Sequence, residues 1–158
     1  MFWQVVTPGL PVEHLTFLDE LERQCRAVEA ATTDPATLEV LVPACPGWTV
    51  GDVLTHLAGI ERLVPAWLAA GRRPRQVPPA PDGEPVTLSF ARGRRSLHER
   101  LASEPADTPA PTWCSWDSTM GFWRRRMAHE HAIHAADILD ALAEHGAPGW
   151  SVGDDIAV

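Results

Sequence analysis

An all-α fold, a four-helix bundle with long connections, is predicted for this 158-residue chain by two features. Apolar side chains recur at spacings of three and four over four separate stretches, the period of an amphipathic helix. Between those stretches lie proline- and glycine-rich segments that do not fit inside regular elements. Helices joined in this way bury their apolar stripes in one core, and a site is then built from side chains facing that core. The length suits a single domain over residues 1–158.

The first helix is expected over Pro11–Ala31, with Leu15, Leu18, Leu21, Cys25 and Val28 along one face. Thr32-Thr33-Asp34-Pro35 ends it, and the next loop reaches Pro43-Ala44-Cys45-Pro46-Gly47-Trp48. Thr49 then reads as an N-cap with Asp52 three positions on, opening a second helix over Val50–Ala70. Its stripe is Val53, His56, Ile60, Leu63 and Trp67, and Trp48 anchors its start. Gly71-Arg72-Arg73-Pro74 stops it before a Pro-rich loop over residues 74–85. A third, weaker helix spans Val86–Glu104, with Phe90, Leu97 and Leu101 inward. The link Pro105–Pro111 leads to Trp113-Cys114-Ser115-Trp116, read as a short strand or an extended stretch. The fourth helix, Thr119–His145, is the longest, and Gly146 is its stop.

Thirteen basic residues, all arginine, against twenty-one acidic ones give a net charge of -8. That balance argues against a nucleic-acid partner, whose phosphates call for a positive footprint. No apolar run approaches the ~20 residues that span a bilayer. No basic stretch followed by a long apolar core opens the chain, so the expectation is a cytoplasmic protein without membrane or export segments. Cys25, Cys45 and Cys114 are odd in number and form no CxxC pair. They read as buried or half-buried thiols in a reducing compartment, not as a disulfide framework or thiolate zinc site.

Chemistry concentrates in the fourth helix. Trp123, Met127, Glu130, His134, Ile138 and Ala141 step by four and three and so share one face. A carboxylate on such an apolar face costs several kcal/mol unless a cation offsets it. Glu130 and His134, at i and i+4, both reach one metal ion. His56, the only histidine of the second helix, lies in the middle of that helix's stripe and supplies a third ligand. Two imidazoles and one carboxylate leave an open position, as in catalytic zinc sites, and equally suit ferrous iron or nickel. The ordinary alternatives are a hydrogen-bonded core histidine and a Glu130–Arg126 pair at i−4. His129 and His131 are expected to point away from the Glu130 face, as surface groups or supports of the site. Asp137, three residues after His134, reads as a carboxylate orienting a ligand imidazole or as a solvated charge. Arg124, Arg125 and Arg126 are by default a solvated face. The alternative is that one or two of them draw an anionic substrate or cofactor to the bundle mouth.

Two segments resemble a known family. Val42-Pro43-Ala44-Cys45-Pro46-Gly47-Trp48-Thr49-Val50-Gly51-Asp52-Val53-Leu54-Thr55-His56-Leu57 is similar to the CPGW-T-x-x-D-L-x-x-H-L stretch of the mycothiol-dependent maleylpyruvate isomerases. Phe122-Trp123-Arg124-Arg125 through His129-Glu130 to His134 and Asp137 is similar to that family's R-R-x-x-H-E-x-x-x-H-x-x-D stretch. The resemblance covers nearly the whole chain and implies a DinB-like bundle with His56, Glu130 and His134 as metal ligands. Fuller members continue into a second domain that is expected to be absent after Gly153-Asp154-Asp155-Ile156-Ala157-Val158.

The resemblance thus implies an enzyme that binds a divalent ion, zinc first, and mycothiol or a similar thiol. The thiolate would attack a small electrophilic substrate, in S-transfer or thiol-assisted isomerisation, with no residue of the chain itself as nucleophile. The alternatives are a non-catalytic small-molecule or partner-binding bundle with a structural metal, and a metal-assisted hydrolase. A homodimer is compatible with so small a bundle.

Overall fold

A computed structural model describes residues 14–146, with side chains from Thr16 onward. The described residues form α1 (His14–Ala31), a short 3-10 turn (Pro35–Glu39), α2 (Val50–Ala70), α3 (Val86–Ala102) and α4 (Met120–Ala143). No strand occurs among them, only isolated bridges joining Leu41 to Thr49 and Pro109 to Thr119. The all-α DinB-like bundle is therefore the architecture. The expected start at Pro11 and the Leu15 side chain lie outside the described residues. Both α3 and α4 end two residues before their expected limits. Trp113–Trp116 is neither strand nor extended ribbon but a bend, closed by the Thr112 hydroxyl donating to the Cys114 and Asp117 carbonyls.

Each helix begins and ends for a local reason. The Thr49 hydroxyl accepts from the Asp52 backbone N–H, and the Asp52 carboxylate accepts from the Thr49 N–H at 2.9 Å. This reciprocal cap satisfies two amides that the first turn would otherwise leave bare. At the far end Gly71 takes a left-handed conformation, φ 68°, which a side chain would strain. Thr119 caps α4 by accepting from the Phe122 N–H. Pro65 sits inside α2 without ending it, because the flanking turns are held by burial of Val64, Trp67 and Leu68.

The core is the set of inward stripes: Phe17, Leu18, Leu21, Cys25 and Val28 of α1 meet Leu54 and Leu57 of α2, Phe90, Leu97 and Leu101 of α3, and Met127, Ile138 and Leu142 of α4. Packing is most extensive between α1 and α4 and between α2 and α3, and sparse between α2 and α4. That looser pair leaves room between its helices, and the candidate site lies there. Among the described residues no helix is long and apolar enough to cross a membrane.

Candidate metal centre

The segment before α2 folds back on itself. The Val42 and Trp48 backbones pair at 2.9 Å, and the Val50 N–H donates to the Val40 carbonyl at 2.9 Å. Gly47 turns the chain at φ 83°, and this brings Cys45 and Trp48 beside the first turns of α2. The Trp48 ring meets His56 edge-on at 5.7 Å and limits how that imidazole turns.

Across the gap, His56 Nε2 lies 3.4 Å from Glu130 Oε1, and His134 Nε2 lies 3.6 Å from the same oxygen. The expected three residues thus converge from α2 and α4, with donor atoms mutually within 4.8 Å. A tetrahedral ion with bonds near 2.1 Å holds its ligand atoms about 3.4 Å apart, so the spacing suits a divalent cation. Other atoms of the three groups are already engaged. Arg126 donates to Glu130 Oε2, which leaves Oε1 for the imidazoles. His134 Nδ1–H donates to Asp137 Oδ2 at 3.1 Å, directing Nε2 toward Glu130. The Cys45 thiol donates to the same Asp137 oxygen at 3.6 Å and so ties the loop to α4. This thiol belongs to the surroundings of the site, and nothing in its sequence position 92 residues away signals that.

Electrostatics match the geometry. The hydrogen bond from His134, then the charge of Arg126 and the contact with His56, bring the Glu130 carboxyl down to about 2 despite its burial. The same bond to Glu130 raises His134, with Asp137 adding to the rise. The carboxylate is therefore ionised at any physiological pH, and a proton and a cation compete for the His134 nitrogen. His56 is 35% exposed, whereas Glu130 is 12% and His134 17% exposed, so the cluster is reached from the His56 side.

Two expectations need correction. Arg124 is no substrate guide: it is buried, and its guanidinium donates to the Leu101 and Glu104 carbonyls, closing the C-terminus of α3. Arg125 pairs with Asp117 at 2.9 Å, so only Arg126 of the three lies at the cluster. His131 is not a surface group or a support of the site but 1% exposed in the core. One helical step of 100° from Glu130 turns it toward the apolar side of α2. There its Nε2 faces Glu61 Oε1 at 3.1 Å while Nδ1–H donates to the Met127 carbonyl at 2.9 Å. The sequence does carry a signal for Glu61: an acid interrupts the buried row Leu54, Leu57, Ala58, Val64 and Leu68.

A cleft of about 290 Å³ opens beside Glu130 and Arg126, walled by Met127, Ile60, Leu63 and a group of tryptophans. On the other side His56 and His134 border a shallow recess with Cys45, Pro46 and Trp48. The candidate centre thus lies between two openings.

No curated protein and no solved structure matches the chain. The model of the mycothiol maleylpyruvate isomerase N-terminal domain matches residues 17–139, a stretch holding all four helix cores and every residue of the cluster. The chain belongs to that family.

Proposed function

We propose that this protein is a metal-dependent enzyme in which a low-molecular-weight thiol of the mycothiol kind reacts with a small electrophilic substrate, by S-transfer or thiol-assisted isomerisation. His56, Glu130 and His134 are the ligands in this reading. The observation that carries it is the convergence of two Nε2 atoms on one carboxylate oxygen whose partner oxygen is already held by Arg126. A bound divalent ion, zinc in the first instance, supplies Lewis acidity and keeps a coordinated thiol in its thiolate form near neutral pH.

The chain's own groups do the positioning. Asp137 fixes the tautomer and ring orientation of His134. His134 first, and then the charge of Arg126, keep Glu130 ionised, and Arg126 occupies Oε2 so that Oε1 is left for the imidazoles. Trp48 and the half-exposed His56 frame the approach from solvent. Cys45 donates to Asp137 and Cys25 is buried, so neither is placed to act as nucleophile. The free cysteines suit a reducing cytoplasm.

Metal content and turnover test this directly. Purified protein is expected to carry about one divalent ion per chain and to conjugate or isomerise an electrophile only when a thiol is added. His56→Ala is expected to lose both metal and thiol-dependent activity. Full activity in metal-free protein would refute the proposal.

A further inference from the structure

The cleft beside Glu130 has a chemistry that the metal cluster does not require. Trp67, Trp113 and Trp123 form its far wall, with ring centroids 5.2 Å apart for Trp67–Trp123 and Trp113–Trp123 and 5.7 Å for Trp67–Trp113. Trp123 is buried and its indole N–H is satisfied by the Pro111 carbonyl at 3.0 Å. Trp113 is 57% exposed on the loop before α4, a large apolar area left in water at the rim of a concavity. Such a surface is covered when a planar apolar group enters, and offset or edge-on ring contacts give it a preferred orientation.

Two cations line the cleft, and they differ. Arg126 is neutralised by Glu130 at the inner end. Arg73, just past the left-handed turn at Gly71, lies with its guanidinium 5.8 Å from the Trp67 ring centroid. Among the described residues no carboxylate pairs with it. In a chain of net charge -8, an unpaired arginine over an aromatic wall is a local positive site against the overall field.

We infer that this cleft seats the electrophilic substrate and selects one with a planar, largely apolar body and an anionic group held by Arg73, its other end directed toward Glu130. The inference rests on the proposed function only for the identity of the inner end as the reacting end. A hydrophilic thiol is a poor occupant, since its hydroxyls would face tryptophan, leucine and isoleucine without partners. The shallow recess at His56 and His134 is left for that component.

Binding of trans-cinnamate and of its uncharged isostere cinnamamide, followed by isothermal titration and ligand-observed NMR, tests this on the full chain. Cinnamate is expected to bind about tenfold more tightly than the amide, the size of one partly exposed charged contact. Arg73→Gln, a substitution at an exposed side chain, is expected to erase that difference. Trp113→Ala is expected to weaken both probes by about tenfold, the scale of a lost ring contact. His56→Ala is expected to leave cinnamate binding within about twofold. Equal binding of acid and amide, no saturable binding, or an unchanged preference in Arg73→Gln overturns the inference. So does cinnamate binding that His56→Ala abolishes, because the carboxylate then sits at the metal centre. If the protein holds no metal yet binds cinnamate through Arg73, the catalytic reading falls and the cleft assignment stands.

Discussion

Glu130 and Glu61 each meet an imidazole across the gap between α2 and α4, yet their carboxyls end at opposite extremes. Glu130 is held down to about 2 and Glu61 is pushed up to about 7. For Glu130 the hydrogen bond from His134 leads, and Arg126 and His56 support it. For Glu61 burial leads, opposed only in part by His131, and its Oε2 has no hydrogen-bond partner among the described residues. Partner number and desolvation decide which carboxyl stays charged. The first is an anionic site open to a cation; the second is a proton-holding contact sealed in the core.

Cys25 completes a second donor cluster with Glu61 and His131, its atoms also within 4.8 Å of one another. Burial drives the Cys25 thiol well above its usual range. A metal ion there would have to displace protons from two buried acids. At Glu130 the carboxylate is already ionised. On the proposed reading the metal falls to His56, Glu130 and His134, and the Glu61 cluster serves packing.

The largest expected effect separates the two. Glu130→Gln should remove stoichiometric metal, whereas Glu61→Gln and Cys25→Ser should keep it, as read by elemental analysis of purified protein. Removing a ligand should cost more than the roughly 10–100-fold lost with an outer partner. Asp137→Asn is expected to fall within that 10–100-fold range, because it frees the His134 ring without deleting a donor; competition with a chelating dye measures it.

Stability should respond in reverse order. His131→Ala strands the buried Glu61 carboxyl and should destabilise the protein by about 2–4 kcal/mol in urea unfolding, with little change in metal content. Gly93 packs against that carboxyl so closely that an added Cβ would lie 2.5 Å from Oε2 and 3.0 Å from the Glu61 Cβ. Gly93→Ala is therefore expected to cost about 1–3 kcal/mol by overpacking.

The pH dependence of metal-free protein sharpens the contrast. The raised Glu61 value means that the folded state binds the proton more tightly than the unfolded chain. Its contribution is fully present below pH 4.5 and is lost as pH rises through about 7. Glu130 works the other way: its contribution is present above 4.5 and lost as pH falls toward about 2. Glu61→Gln should flatten the decline between pH 4.5 and about 7, a change on the order of 3 kcal/mol, in unfolding free energies measured across that window. The smallest effect is Cys45→Ser, expected to change metal affinity by less than about threefold, since a thiol is a weak donor.

Much of the framework was legible along the chain. Thr49 and Asp52 announce the start of α2 through a local capping pattern, and the apolar rows of α2 and α4 need only periodicity. His56 stands out for the same reason, and Glu130 and His134 follow from i to i+4. What lay beyond reach depends on which helices pack together. Arg124 turns inward because the end of α3 offers unpaired carbonyls beside it, and no spacing within α4 encodes that. His131 meets Glu61 only because its face of α4 is turned to α2. Cys45 and Trp113 join their sites through loops, where periodicity carries no information.

X-ray absorption spectroscopy on zinc-loaded protein, recorded without added thiol, reads the ligand set at the ion itself. Coordination by His56, Glu130 and His134 predicts nitrogen and oxygen neighbours at about 2.0–2.2 Å with imidazole outer scattering and no sulfur. A sulfur neighbour at about 2.3 Å, removed by Cys25→Ser or Cys45→Ser, would place the ion in a different cluster and contradict the account.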